Sequence, residues 1–259
     1  MVRAAESRPK SMLGVGAGAR PFLDYLLSNV AASGYRNVVI VVGEGDAVIQ
    51  PYYRSREGSR FSETMRISFA IQPILPGGTK PAGTADALLR ALHSVPEWRG
   101  ESFTVCNSDN LYSRAALRLL IEDRHENALI DYDRSALQFD RDRIGQFAVI
   151  VRDADGFLRE IIEKPTAEEM ARSADPDGRI GVSMNIFRFS YDVILQYLAA
   201  VPLHPVRHEK ELPVAVKMLA AERPRSVFTI PLSEHVIDLT SQADISAVSE
   251  YLTREFPHF

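Results

Sequence analysis

Asn37 to Gly43 (NVVIVVG) is an uninterrupted apolar run. A strand carrying apolar side chains on both faces is stable only in a sheet covered on both sides, the situation of parallel sheets flanked by helices. That single stretch therefore narrows the class of fold, and its surroundings agree. Pro21 suits the first position of a helix whose Phe22, Tyr25, Leu26 and Val30 fall on one face, with Gly34 closing it. Arg66 to Gln72 (RISFAIQ) reads as a strand, Pro73 to Gly83 as a proline- and glycine-rich loop, and Thr84 to Ser94 as a helix with Ala87, Leu88 and Ala91 on its apolar side. Ser102 to Cys106 is a third strand. It runs into the polar turn Asn107-Ser108-Asp109-Asn110, at the end of a strand where ligands collect in open α/β sheets, and a helix follows from about Arg114.

Further on the periodicity changes. Gln146 to Arg152 and Leu158 to Glu163 flank Asp155-Gly156, a strong hairpin signal. Gly181 to Phe189 reads as another strand, Tyr191 to Val201 and Glu211 to Glu222 as amphipathic helices, and Ala243 to Phe256 as a closing helix. The expected fold is α/β: a Rossmann-like, mixed, mostly parallel sheet with helices on both faces and an inserted antiparallel hairpin. No linker interrupts it, so residues 1–259 are expected to form a single domain.

At 259 residues with 46% hydrophobic side chains, the chain can bury a core of that size. A net charge of -4 provides no broad basic field, so no nucleic-acid partner is expected and any phosphate chemistry needs a few placed cations. The one cysteine, Cys106, excludes an internal disulfide and argues against structural zinc. It reads as a buried strand residue. No apolar stretch approaches membrane-spanning length and the N-terminus is too polar for a signal peptide, so the expectation is a cytoplasmic protein with no membrane partner.

Five places could carry chemistry. Lys10, in a proline-stiffened loop, supplies a point charge of the kind a triphosphate requires, although a loop lysine alone is usually just solvated. Gly83 and Thr84, entering a helix, would permit close backbone approach to a planar base and offer free N–H groups to anions; Thr84 could equally cap that helix. Asp109 could hold Mg2+ through one oxygen or only close an Asx turn. Glu163-Lys164-Pro165 ends a hairpin strand, and proline is expected to keep Lys164 extended, able to neutralise a phosphate or simply to solubilise the surface. Asp238 is a second candidate carboxylate, or a cap for the final helix; His235 beside it reads as an ordinary surface or core histidine.

In their order along the chain, these pieces resemble the sugar-phosphate nucleotidylyltransferases, the family of glucose-1-phosphate thymidylyl-, uridylyl- and adenylyltransferases and mannose-1-phosphate guanylyltransferases. Pro9-Lys10-Ser11-Met12-Leu13 resembles the family's PK-x-M-L segment, Gly83-Thr84-Ala85-Asp86-Ala87 its base-side element, and Ser108-Asp109-Asn110-Leu111 its metal-binding turn. Glu163-Lys164-Pro165 matches the sugar-phosphate contact, Val182 to Phe187 stands at the sugar-contacting strand, and Asp238-Leu239-Thr240 resembles the region of the second metal aspartate. The resemblance implies transfer of a nucleoside monophosphate from an NTP to a sugar-1-phosphate, forming NDP-sugar and pyrophosphate. It implies Mg2+ on Asp109 and Asp238, Lys10 as a catalytic and nucleotide-binding cation beside Asp109, and Gln72, Gly83 and Thr84 around the nucleotide. Glu163, Lys164, Ser183 and Asn185 would meet the sugar phosphate. Self-association, common in the family, is left open.

Two positions depart from the family pattern. Its glycine-rich signature is expected upstream of Pro9, where the chain reads Val2 to Arg8, with Ala4-Ala5 as a remnant and Glu6 near the expected glycine. The expectation is a truncated or misassigned start and a sheet lacking one central ladder, whose polar edges something must satisfy. Gly78 stands where the base-reading glutamine is expected, and Gln72 replaces it if the loop bulges. One rival reading is therefore a non-catalytic paralogue or regulatory subunit that binds sugar nucleotide. Another is an NAD(P)-dependent oxidoreductase, because Gly14-Val15-Gly16-Ala17-Gly18-Ala19 fits G-x-G-x-x-A and Glu44 follows at a suitable distance, though too few apolar residues precede Gly14 to form the required strand.

Overall fold

The computed structural model describes residues 9–55, 58–240, 242–257 and 259. Asn37–Gly43, Arg66–Gln72 and Ser102–Cys106 are strands and Thr84–Ser94 is a helix, with the bounds read from local pattern. Val2 to Arg8, including Ala4, Ala5 and Glu6, lies outside the described residues.

Strand Asn127–Asp133 organises the rest. Among the described residues it belongs to a seven-stranded sheet. On one edge it pairs in parallel with Val227–Leu232; on the other it pairs antiparallel with Ile186–Ser190 and with Gly181–Val182. Ile186–Ser190 also pairs antiparallel with Ser102–Cys106, so strands 102–106, 127–133 and 227–232 run the same way around one reversed neighbour. The expected hairpin, Val149–Arg152 with Leu158–Ile162, joins through Gly181–Val182.

The alternation of strand 127–133 commits two helical layers. Ala128, Ile130 and Tyr132 enter one apolar cluster with Leu26 of helix Phe22–Ala32, Leu117 and Leu120 of helix Arg114–Glu122 and Leu252 of helix Ile245–Glu255. Leu129 enters the other, with Leu88 of helix Thr84–Ser94, Ile194 of helix Tyr191–Ala200 and Val216 of helix Leu212–Glu222.

Three sequence expectations change. Gln146 and Phe147 do not extend the hairpin, because their N–H groups close turns onto Arg143 O and Ile144 O at 3.0 and 3.3 Å. The expected strand from Gly181 to Phe189 is broken in two: Asn185 takes a left-handed φ of 55°, and the Tyr112 hydroxyl donates to the freed Met184 carbonyl at 2.7 Å. Pro21 precedes the helix instead of opening it and pairs with Gly14. The stretch Gly14 to Ala19 folds back as a two-residue ribbon, Gly14–Val15 against Arg20–Pro21, behind a single 3-10 turn Lys10–Met12. With no strand feeding it, this segment cannot form the strand-to-helix phosphate loop of a dinucleotide site.

Among the described residues, strand 37–43 pairs in parallel with strand 66–72 and with no other strand, and strand 102–106 pairs only with 186–190. Between their open edges lies a cavity of about 690 Å³, walled by Leu26 and Val30 on one side and Leu88 and Leu92 on the other. Val38, Val39, Val105 and Cys106 are consequently only half-buried, where coverage on both faces is expected from the sequence. The Tyr35 hydroxyl bonds the Thr104 hydroxyl at 2.7 Å beside this gap.

One buried ion-pair group ties the hairpin to the central strand. Asp131, 1% exposed, accepts from Arg152 at 3.0 Å and from Arg179 at 2.8 Å, and Arg152 continues to Asp175 at 2.8 Å. A Cβ on Gly181 would stand 1.8 Å from Asp131 Oδ1, so glycine is required for the strands to close over this carboxylate. Removing one member of such a group strands the others' charge. Asp131→Ala is expected to lower the unfolding free energy by about 3 kcal/mol, seen as a lower urea midpoint at unchanged m-value.

Candidate functional site

Strand 102–106 delivers the chain to Asp109, and the two residues that follow, Asn110–Leu111, pair antiparallel with Ile237–Asp238. Asp238 stands opposite Asn110, and Leu239 N–H donates to Asp109 O at 2.8 Å. Two carboxylates far apart in sequence are thus held on one short ribbon. They line a common cavity of about 200 Å³ together with Ser183, Asn185 and Thr240.

The electrostatics of this ribbon are unfavourable without a cation. Burial, and then the Asp238 carboxylate, push the Asp109 carboxyl above its ordinary range, while Lys10 pulls it down. Lys10 therefore lies within electrostatic reach of Asp109. Among the described residues no group of three or more His, Cys, Asp or Glu side chains could hold a metal, so a metal here would rest on this carboxylate pair together with water and substrate oxygens.

The glycine loop is anchored from three directions. Gly83 has φ 96°, and a Cβ there would stand 2.6 Å from Lys210 O. Lys210 N–H donates to Ala82 O at 2.6 Å and Ala85 N–H donates to Lys210 O at 2.9 Å. Thr84 does not cap its own helix. Its hydroxyl accepts from Leu212 N–H at 2.9 Å, which satisfies the first free donor of helix 212–222. Gln72 donates to Gly83 O at 2.9 Å and to Asp86 at 3.0 Å, so its amide nitrogen braces the loop. Thr84, Asn107 and Asn185 also line the larger cavity, which places the glycine loop and the carboxylate ribbon on one connected hollow.

At the end of strand 158–162, burial and then Glu211 raise the Glu163 carboxyl, with Arg207 and Lys164 acting in the opposite sense. The stretch from Arg207 to Glu211 therefore lies between Glu163 and the glycine loop. Lys164 is not extended, contrary to the expectation from Pro165: its φ is 48°. The chain must turn there because Thr166 at once caps helix Ala167–Arg172 in a capping box with Glu169. Lys164 and Asn185 are both non-glycine residues in left-handed backbone, a conformation that costs energy and concentrates at functional positions.

One neighbour of the pair escapes sequence reasoning. Arg143 Nη2 donates to Asp238 at 2.7 Å and Nη1 to Asp244 at 2.8 Å. It belongs to Arg141-Asp142-Arg143, a charged stretch that reads as solvated surface, and no spacing in the sequence links it to residues about a hundred positions away.

The sequence pattern described as "Nucleotidyl transferase" matches residues 5–230. The fold is similar to that of UTP-bound UGPase from Acinetobacter baumannii, with TM-score 0.71 and 18% identity over 99% of this chain and 90% of that one. It is similar to a UDP-glucose pyrophosphorylase complexed with UDP-glucose, with TM-score 0.67 and 16% identity over 95% and 91% of the two chains. HddC from Yersinia pseudotuberculosis, complexed with GMP-PN, gives TM-score 0.61 and 13% identity over 97% and 93%. At these identities the likeness is one of fold. Among the described residues no helix is long and apolar enough to cross a membrane.

A raised carboxyl has a consequence for stability. Because the folded chain disfavours ionised Asp109, its contribution is favourable below the unfolded carboxyl pKa and is lost as pH rises through the folded value. Asp109→Asn removes that loss. In metal-free buffer the variant is expected to melt above the parent at pH 7, and the gap is expected to narrow as the pH is lowered toward about 4, as followed by circular dichroism.

Proposed function

The chain belongs to the nucleotidyl transferase family, and on that premise we propose that it transfers a nucleoside monophosphate from an NTP to a sugar-1-phosphate, forming NDP-sugar and pyrophosphate. The observation that carries this reading is the meeting of Asp109 and Asp238 on one ribbon, over one cavity, with Lys10 within electrostatic reach. The bound UTP and UDP-glucose of two similar folds point to the same substrate class.

In the reaction an oxygen of the sugar-1-phosphate attacks the α-phosphorus of the NTP in line, the bond to the bridging oxygen breaks, and pyrophosphate leaves with that electron pair. Little covalent chemistry falls to the protein, so positioning and charge neutralisation dominate. Lys10 holds nucleotide phosphates. Gly83 lets the backbone approach the base, and Gln72 and Thr84 keep that loop in place. Lys164, beside Glu163, neutralises the sugar phosphate, and Ser183 and Asn185 meet the sugar.

The carboxylate pair fits Mg2+: its donors are hard oxygens, and the buried charge of Asp109, raised further by Asp238, is the kind a divalent cation relieves. Asp109 and Asp238 would hold the ion, which when bound supplies positive charge to the phosphates. A cytoplasmic location and self-association belong to the same reading.

Pyrophosphate release, measured across a panel of NTPs and sugar-1-phosphates, is the direct test. Asp109→Asn is expected to lower kcat by about a hundredfold or more. Lys164→Ala is expected to raise KM for the sugar phosphate by about tenfold, with a smaller change in kcat. Tight nucleotide binding beside background release over the whole panel would instead identify a binding subunit, and full turnover by the Asp109 variant would remove the assignment.

A further inference from the structure

Arg143 holds Asp238 beside the cavity that this acid shares with Asp109. Its guanidinium bonds one oxygen of Asp238 at 2.7 Å, while the Thr240 hydroxyl donates to the other. Both oxygens are therefore engaged. The second branch of the guanidinium holds Asp244 at 2.8 Å, and its plane lies 4.5 Å from the Phe139 ring centroid. Phe139 packs in turn against Phe147, which lines the cavity containing Asp109 and Asp238. The arginine is thus built into the wall of the site and is three-quarters buried, with 25% of its side chain exposed.

Asp109 has no comparable cation: the charge acting on it favourably is that of Lys10, and the Asp238 carboxylate acts against it. The two acids are consequently unequal. One is paired with a guanidinium held from three sides, and the other has no ion pair among the described residues. A divalent cation and the guanidinium both draw on the negative charge of Asp238, so the two compete for one carboxylate.

We propose that Arg143 is a positioning residue that competes with the divalent cation for Asp238, keeping this carboxylate neutralised and aimed at the cavity until the ion displaces the guanidinium. The proposal rests on the reading of Asp109 and Asp238 as the metal pair. Placement of Arg143 on the single-turn helix Arg141–Ile144, capped by Asp140, lets the side chain swing toward Asp244 without disturbing the sheet. Arginine suits this role because its fork can keep one carboxylate while releasing the other.

Mn2+ binding to the full chain in the absence of substrate, followed by the loss of the free-ion electron paramagnetic resonance signal, separates the possibilities. R143Q is expected to bind Mn2+ about tenfold more tightly than the parent, because removing the guanidinium restores negative charge to the pair, and D238N to lose binding. R143K, a point charge able to reach only one of the two carboxylates, is expected to change in the same direction by less, which keeps the test open should R143Q fail to fold. Equal or weaker Mn2+ binding by the arginine variants, with D238N still losing the ion, overturns the role of Arg143 while leaving the metal pair in place. Parent-like binding by D238N overturns both.

Discussion

The molecule depends on burying strand 127–133 on both faces and bonding it along both edges. Ala128, Leu129 and Ile130 are each at most 1% exposed, so every backbone donor and acceptor they carry must be paired within the sheet. The parallel partner 227–232 on one side and the reversed strand 186–190 on the other provide that pairing. Strand 186–190 in turn holds 102–106, whose end delivers Asp109, and the chain leaving 227–232 returns through Ile237–Asp238. The acid pair meets because strands 102–106 and 227–232 run the same way and end on the same side of the sheet.

That geometry places like charges together in a half-buried hollow, where they are costly without compensation. Compensation is uneven. Asp238 has Arg143 and Thr240; Asp109 has the field of Lys10 and stays above its usual range. Burial holds two acids of the scaffold above their usual range as well, with more bracing: Asp131 accepts from two arginines and Asp24 from Tyr52 and Tyr53, both at 2.8 Å. What sets the hollow apart is that two acids face one cavity.

Three positions of the candidate site take left-handed backbone, Gly83, Lys164 and Asn185. Each lies where a regular element stops and the backbone turns. Gly83 meets its turn at no steric cost because it lacks a Cβ, while Asn185 and Lys164 are held by their surroundings, Tyr112 behind the first break and the capping box after the second. The gap between strands 37–43 and 102–106 is of another kind: among the described residues it is a pair of edges with no strand between them, inside two helical layers.

What the sequence determined by itself was local. Runs such as NVVIVVG and RISFAIQ, and the helical face of TADALLRALHS, specify their elements because side-chain period and flanking breakers act within a few residues. Motif order also marked Lys10, Gly83, Asp109, Lys164 and Asp238 as candidates. Tertiary structure alone decided that Asp238 stands opposite Asn110, that Thr84 caps a helix other than its own, that strand 181–189 breaks at Asn185, and that Arg143 guards an acid. Those outcomes depend on which distant groups compete for the same donor, acceptor or charge, and that competition exists only once the chain has folded.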